Sequence, residues 1–169
     1  MKKGRIIFLE GVSSSGKTTL AKTLQARLPV PFFWLAGDTI WTMAPEKFKL
    51  DMEVIFPKID AATINTIKLF SDLGIDAIVD MVPVIKSNKK FADMLRKRPV
   101  LYVNVTCPLE ELRRREQERG DRQIGLGESQ LAGLSPPGKY DIIVDTHNST
   151  CEECADQIIG KMNCLGKFA

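Results

Sequence analysis

An α/β fold, with a five-stranded parallel sheet covered by helices on both faces, is predicted by three observations on this 169-residue sequence. Short apolar runs alternate with longer stretches of helical periodicity, the pattern of strand–helix–strand units. The stretch "GVSSSGKT", residues 11–18, fits G-x-x-x-x-G-K-[ST] and stands at the first strand-to-helix junction. No repeat of fixed period and no low-complexity tract interrupts the alternation.

The elements follow in order. "RIIFLE" is of strand length and gives a strand over 5–10, and "KTTLAKTLQARL" places Leu20, Leu24 and Leu28 on one side of a helix over 17–28. Pro29 and Pro31 break the chain before "FFWLAGD", a second strand ending at Asp38. Residues 39–55 read as irregular, with helical turns around 40–48, and an amphipathic helix is predicted from Pro57 to about Leu73, stopped by Gly74. "DAIVDMV" is the third strand, a helix is expected around 85–97, and "VLYVNVT" is the fourth strand. "PLEELRRREQER" opens a helix with proline in its first turn. "RGDRQIGLGESQLAGLSPPG" is polar and glycine-rich, with helix predicted around 127–133. "YDIIVDT" is the fifth strand, and Ser149 with Glu152 predicts a capping box for a last helix over 150–163.

Length and composition narrow the class. The chain suits a single domain, 1–169, able to bury a core without staples. No apolar run reaches the ~18 residues a bilayer demands, and in "MKKGRIIFLEG" Glu10 and the phosphate loop interrupt what would be a signal peptide, so a cytoplasmic protein without a membrane partner is expected. A net charge of +3 argues for no polyanion, and the cluster Arg113, Arg114, Arg115, Arg119 and Arg122 lacks interleaved aromatic residues to stack bases, so nucleic acid is not an expected partner. Cys151 and Cys154 form a C-x-x-C with no second pair or histidine cluster, and are expected to be reduced packing residues. Oligomeric state is not encoded in any pattern here.

The chemistry begins at the loop. In this pattern bare backbone N–H groups curl around nucleotide phosphates, the lysine neutralises them and the hydroxyl ligates magnesium. Gly11, Val12, Ser13, Ser14, Ser15, Gly16, Lys17, Thr18 and Thr19 are therefore the expected nucleotide-binding residues, with ATP and Mg2+ as cofactors. Five parallel strands with such a loop after the first is the P-loop kinase arrangement, in which ligands gather at the carboxyl ends of the strands. Asp38 and Asp80 end strands expected to flank the loop. Asp38 is the candidate general base for an acceptor hydroxyl, and Asp80 the candidate magnesium ligand or acceptor-positioning group. Asp145 reads as structural, and the turn 146–149, beginning with Thr146, as a border for the adenine ring. Arg115, Arg119 and Arg122 are candidates for a lid over about 113–134 that meets the charge of the transferring phosphoryl group, while Arg113 and Arg114 read equally as a solvated face.

A guanine-nucleotide switch is excluded: none of the twelve glycines has an aspartate three residues before it, and the only Asn-Lys pair continues as Lys90-Phe91. A motor needs far more chain. Clamping a phosphorylated acceptor takes arginines after strands two and three, and "GDTIWTMAP" and "DMVPVIK" contain none. An uncharged small molecule with a hydroxyl is the expected acceptor, with Trp41, Met43 and Phe48 as an apolar wall in a region of about 38–60. A kinase for a phosphorylated metabolite or nucleotide, with Lys86 replacing the arginine clamp, and a nucleotide-binding regulatory protein without turnover are the alternatives.

Together, "GVSSSGKT", "LPVPFFWLAGDTIWTM", "REQERGDRQIG" and "KYDIIVDTHNSTCEECA" resemble the chloramphenicol phosphotransferase-like family of P-loop kinases, in order and over most of the chain. The resemblance implies ATP-dependent phosphorylation of a primary hydroxyl, with Asp38 as base, Lys17 and Thr18 on the phosphates and magnesium, and Arg122 in the lid. The sequence departs from the family between Met43 and Phe70, where it reads as shorter and where the acceptor would be chosen.

Overall fold

The computed structural model describes residues 2–43, 52–83, 93, 95–120 and 123–168. Five parallel strands, β1 (Ile6–Glu10), β2 (Phe33–Ala36), β3 (Ala77–Met81), β4 (Val100–Thr106) and β5 (Ile142–Asp145), form one sheet in the order β2-β3-β1-β4-β5. The helices are α1 (Lys17–Arg27), α2 (Thr39–Thr42), α3 (Met52–Asp72), α4 (Leu109–Arg119), α5 (Leu126–Gln130) and α6 (Cys151–Cys164), with 3₁₀ turns at Leu131–Gly133, Pro137–Lys139 and Gly166–Phe168.

The unbroken apolar run of β1 is explained by its central place, since a parallel strand covered on both faces has no polar side. Ile7 and Leu9 pack with Leu20, Ala21 and Leu24 of α1 and with Cys154, Ala155 and Ile158 of α6. Ile6 and Phe8 face the other way, onto Ile64 and Ile67 of α3 and Leu95. Each fully buried aliphatic side chain contributes about 1.5–3 kcal/mol. This two-sided burial fixes the register that brings Glu10, Asp80 and Asn104 to one edge of the sheet.

Several expectations shift. β1 is flanked by β3 and β4, so β2 does not border the phosphate loop; it is an edge strand one place further out. α3 starts at Met52, five residues before the predicted start, and carries Pro57 inside it. A proline interior to a helix forfeits one backbone hydrogen bond. Here the pyrrolidine lies on an exposed position, and the buried Thr63, Ile64, Ile67 and Ser71 further along hold the helix to the sheet. Its end agrees with the sequence, as the Gly74 N–H turns back to the Ser71 carbonyl at 3.1 Å. The capping box of the last helix sits one residue later than predicted: the Glu153 N–H donates to Thr150 Oγ1 at 3.2 Å and the Thr150 N–H to Glu153 Oε2 at 2.8 Å. All four cysteines are free thiols, Cys154 in the core, its thiol pushed up to about 11 by burial above all. The predicted helix around 85–97 lies almost wholly outside the described residues, as do Phe48, Lys86 and Arg122. Among the described residues no helix is long and apolar enough to cross a membrane.

Candidate active site

The loop between β1 and α1 has the shape its glycines and serines predict. Ser14 (φ 64) and Gly16 (φ 89) take left-handed conformations, which turn successive N–H groups toward one concavity. At Gly16 a side chain would also meet Thr146, whose methyl and hydroxyl would lie 3.3 Å from a Cβ. A serine in this region of the backbone is strained, and strain of this kind gathers at ligand sites. Ser14 Oγ is in addition buried with no hydrogen-bond partner among the described residues. Both observations fit a loop shaped for an anion. The Lys17 ammonium is buried and folds back over the loop, donating to the Val12 carbonyl at 2.7 Å and to Ser15 Oγ at 3.5 Å.

Thr18 and Asp80 meet. The Thr18 hydroxyl, in the first turn of α1, donates to Asp80 Oδ2 at 2.8 Å, and Asp80 is 6% exposed. A hydroxyl and a carboxylate are the hard oxygen donors magnesium prefers, and neighbouring ligands in its octahedron, at bonds of about 2.1 Å, stand about 3 Å apart. The pair therefore suits one edge of a magnesium shell. Asp38 lies two residues beyond β2, exposed, at the start of α2 with no side-chain cap bond. Its neighbour Gly37 donates its N–H to the Asp80 carbonyl at 2.6 Å, which keeps Asp38 at the same edge of the sheet as the loop. Trp41 is half-buried and Met43 is 71% exposed.

The arginines expected in a lid divide. Arg115 reaches the loop: Nη1 donates to the Ser14 carbonyl at 3.3 Å and to Thr146 Oγ1 at 3.1 Å, and Nη2 to the Thr146 carbonyl at 2.9 Å. Glu111 orients it through Nε at 2.8 Å and also takes Arg114 at 2.6 Å, and these two guanidinium groups hold the Glu111 carboxyl down at about 2. Thr146 donates to the Ser15 carbonyl at 2.8 Å, so the expected adenine border also braces the phosphate loop. Asp145 closes its turn on the His147 N–H at 2.8 Å and Asn148 Nδ2 at 2.7 Å. Arg113 and Arg114 lie on an exposed face, paired with Glu128 and with Glu111 and Glu118. Arg119 is exposed in the last turn of α4.

Sequence reasoning passed over three residues that assemble this edge. Glu116 is 1% exposed and accepts the N–H groups of Gly125 at 2.7 Å and Gly127 at 2.8 Å. Gln130 accepts the Ser13 N–H at 2.7 Å. Between them α5 is drawn so close that a Cβ on Gly127 would fall 2.8 Å from the Ser13 carbonyl oxygen. Glu10, the last residue of β1, is buried and receives a hydrogen bond from the Tyr140 hydroxyl. For Glu116 a signal existed: it stands four residues after Leu112, on the apolar side of α4, where a charge needs a reason.

The comparisons with known proteins agree with this architecture. The model of the "chloramphenicol phosphotransferase-like protein" family matches residues 4–163. Among curated proteins, an adenylyl-sulfate kinase of Clostridium acetobutylicum is 28% identical, covering 94% of this chain and 82% of its own. A proposed O-phosphotransferase of Mycobacterium tuberculosis is 27% identical over 94% of this chain and 82% of its own. In fold, the Mycobacterium tuberculosis APS kinase in complex with AMPPNP and APS superposes with a TM-score of 0.75 at 16% identity, covering 96% of this chain and 99% of its own. Shikimate kinase from Acinetobacter baumannii, in complex with shikimate, gives 0.70 at 17% identity over 96% and 95%. With a P-loop kinase fold and a family match over nearly its whole length, the chain belongs to the chloramphenicol phosphotransferase-like family of kinases.

Proposed function

We propose that this kinase is a Mg-ATP-dependent phosphotransferase that moves the γ-phosphate of ATP to a hydroxyl of a small molecule. The observation that carries the reading is the Thr18–Asp80 contact of 2.8 Å at the mouth of a strained, anion-shaped loop. Loop N–H groups and Lys17 hold the phosphates, and Thr18 with Asp80 would hold magnesium. The metal's chemistry is to neutralise charge on the phosphate oxygens. Asp38 accepts the proton of the acceptor hydroxyl as that oxygen attacks the γ-phosphorus, and the bond from phosphorus to the β-phosphate oxygen breaks, leaving ADP. Arg115, already oriented by Glu111, reaches the loop at the Ser14 carbonyl and is the first lid candidate, with Arg119 and Arg122 as further ones. Residues 1–169 act as one kinase domain in this reading, with the lid over about 113–134 and the acceptor region over about 38–60.

An uncharged acceptor is supported by the lack of arginine in "GDTIWTMAP" and "DMVPVIK". The identity to adenylyl-sulfate kinases favours a second reading, an acceptor that carries its own phosphate. A screen of hydroxyl compounds for ADP release, with adenylyl sulfate, shikimate, gluconate and chloramphenicol among them, separates the two. On the acceptor found, Asp38→Ala is expected to lower kcat by about 10²–10⁴ while AMPPNP binding is retained. Near-normal turnover by that variant removes Asp38 from the role of base.

A further inference from the structure

Glu10 and Asn104 are register partners on β1 and β4, the last pair at the carboxyl edge of the sheet between these strands. Strand alternation puts both on the face that carries Phe8 and Met81, opposite the α1 face, because Ile7 and Leu9 pack toward α1. Glu10 is 5% exposed and Asn104 8%. Among the described residues the carboxylate of Glu10 makes one hydrogen bond, from the Tyr140 hydroxyl, and no ion pair. Asn104 Oδ1 has no hydrogen-bond partner among the described residues. A buried carboxylate with one donor and a buried amide oxygen with none are both costly in an isolated protein, and an orphan of this kind calls for a missing partner. Burial and the Glu10 charge push the Tyr140 phenol well above its ordinary value, so it is a standing donor to one oxygen and leaves the rest of the carboxylate to accept from elsewhere.

We infer that Glu10 and Asn104 form the floor of an acceptor subsite that takes a pair of O–H or N–H donors from a neutral or cationic molecule, such as a diol or an amino alcohol. This deepens the kinase reading and rests on it for the word acceptor. Both floor groups accept hydrogen bonds, so a ligand seated there must donate twice. Glu10 directly precedes Gly11 of the phosphate loop, and in this proposal the molecule it holds turns its hydroxyl toward the γ-phosphate. The phosphates of the nucleotide are poor occupants of this point, being acceptors and anions. For the same reason a carboxylate, sulfate or phosphate on the acceptor is repelled from this point.

Isothermal titration into protein loaded with AMPPNP and magnesium tests this without turnover. The probes are chloramphenicol and glucosamine as donor-rich neutral and cationic compounds, and gluconate and shikimate as anionic ones. At least one of the first pair is expected to bind more tightly than both anions, and Glu10→Gln, which turns an acceptor atom into a donor, to weaken it tenfold or more while AMPPNP affinity moves less than threefold. Tyr140→Phe is the control: it removes the internal donor and leaves Glu10, so probe affinity should hold within threefold or rise. If Glu10 only anchors Tyr140, both variants lower Tm alike and neither changes the ranking of probes, and the subsite is refuted. It is also refuted if neither donor-rich probe binds at 10 mM, or if binding ignores Glu10→Gln. The same probes assayed separately with ATP test the reading it rests on: binding that depends on Glu10 with no phosphate transferred to any bound probe would overturn the word acceptor and leave the subsite.

Discussion

Replacing Glu116 with alanine tests how the segment 123–133 is fastened beside the phosphate loop. The carboxylate is 1% exposed and receives two backbone N–H groups, from Gly125 at 2.7 Å and Gly127 at 2.8 Å. Hydrogen bonds to a charged group are worth about 1.5–3 kcal/mol each, and a buried N–H left alone costs about as much. Two such bonds set an upper limit of about 6 kcal/mol, but the segment 123–133 lies at the surface and can tilt its amides to water, so about 3 kcal/mol is expected. In a chain of this size that lowers Tm by about 6–12 °C. Glu116→Gln keeps one accepting oxygen and turns an NH2 toward the second N–H, so its loss should fall near half. Urea unfolding of the three proteins measures the differences, and amide exchange at Gly125 and Gly127 locates them. If both variants lie within about 0.5 kcal/mol of the parent, or if those two amides exchange no faster, Glu116 does not hold the segment 123–133.

Two further outcomes follow from the same edge of the molecule. Gly16→Ala puts a side chain at φ 89, with Thr146 3.3 Å from the new Cβ, and is expected to cost about 1–2 kcal/mol and to weaken AMPPNP at least tenfold; unchanged AMPPNP affinity by titration would mean the loop tolerates another shape. Glu111 is held at about 2 by hydrogen bonds from Arg114 first and Arg115 second, against an ordinary 4.5, so its contribution is whole above about pH 4.5 and disappears as pH falls toward 2. Urea midpoints taken across that window should decline less steeply in Glu111→Gln than in the parent, and identical slopes would contradict the assignment.

What could be read from the residues, and what could not, divides by distance along the chain. Strands one, three, four and five, the helix after the phosphate loop and the stop at Gly74 rest on local periodicity and turn chemistry, and they stand where the sequence puts them to within two residues. The capping box was ambiguous locally, because Ser149-Glu152 and Thr150-Glu153 both fit the pattern and only the helix phase chooses between them. Strand order is not local: β2 lies at the edge because β3 pairs directly with β1, a choice made by packing across the sheet. The start of α3 before Pro57 is a case of burial overriding propensity. In the site, Gly11 to Thr18 announce themselves as a motif, whereas Glu116, Gln130 and Glu10 act through partners 9 to 130 residues away and carry no pattern of their own.

The bracing of the phosphate loop bears on how the protein is made. Ser13, Ser14 and Ser15 are tied to Gln130, Arg115 and Thr146, at separations of 117, 101 and 131 residues. Closing loops of that length is an entropic cost met late in folding. A chain emerging from the ribosome has its phosphate-loop sequence complete at Thr18 but lacks the groups that hold it in shape until Thr146 has been added. Nucleotide capture should therefore begin only after Thr146 has been added, and a fragment that stops before β5 should carry the full motif yet grip no phosphate.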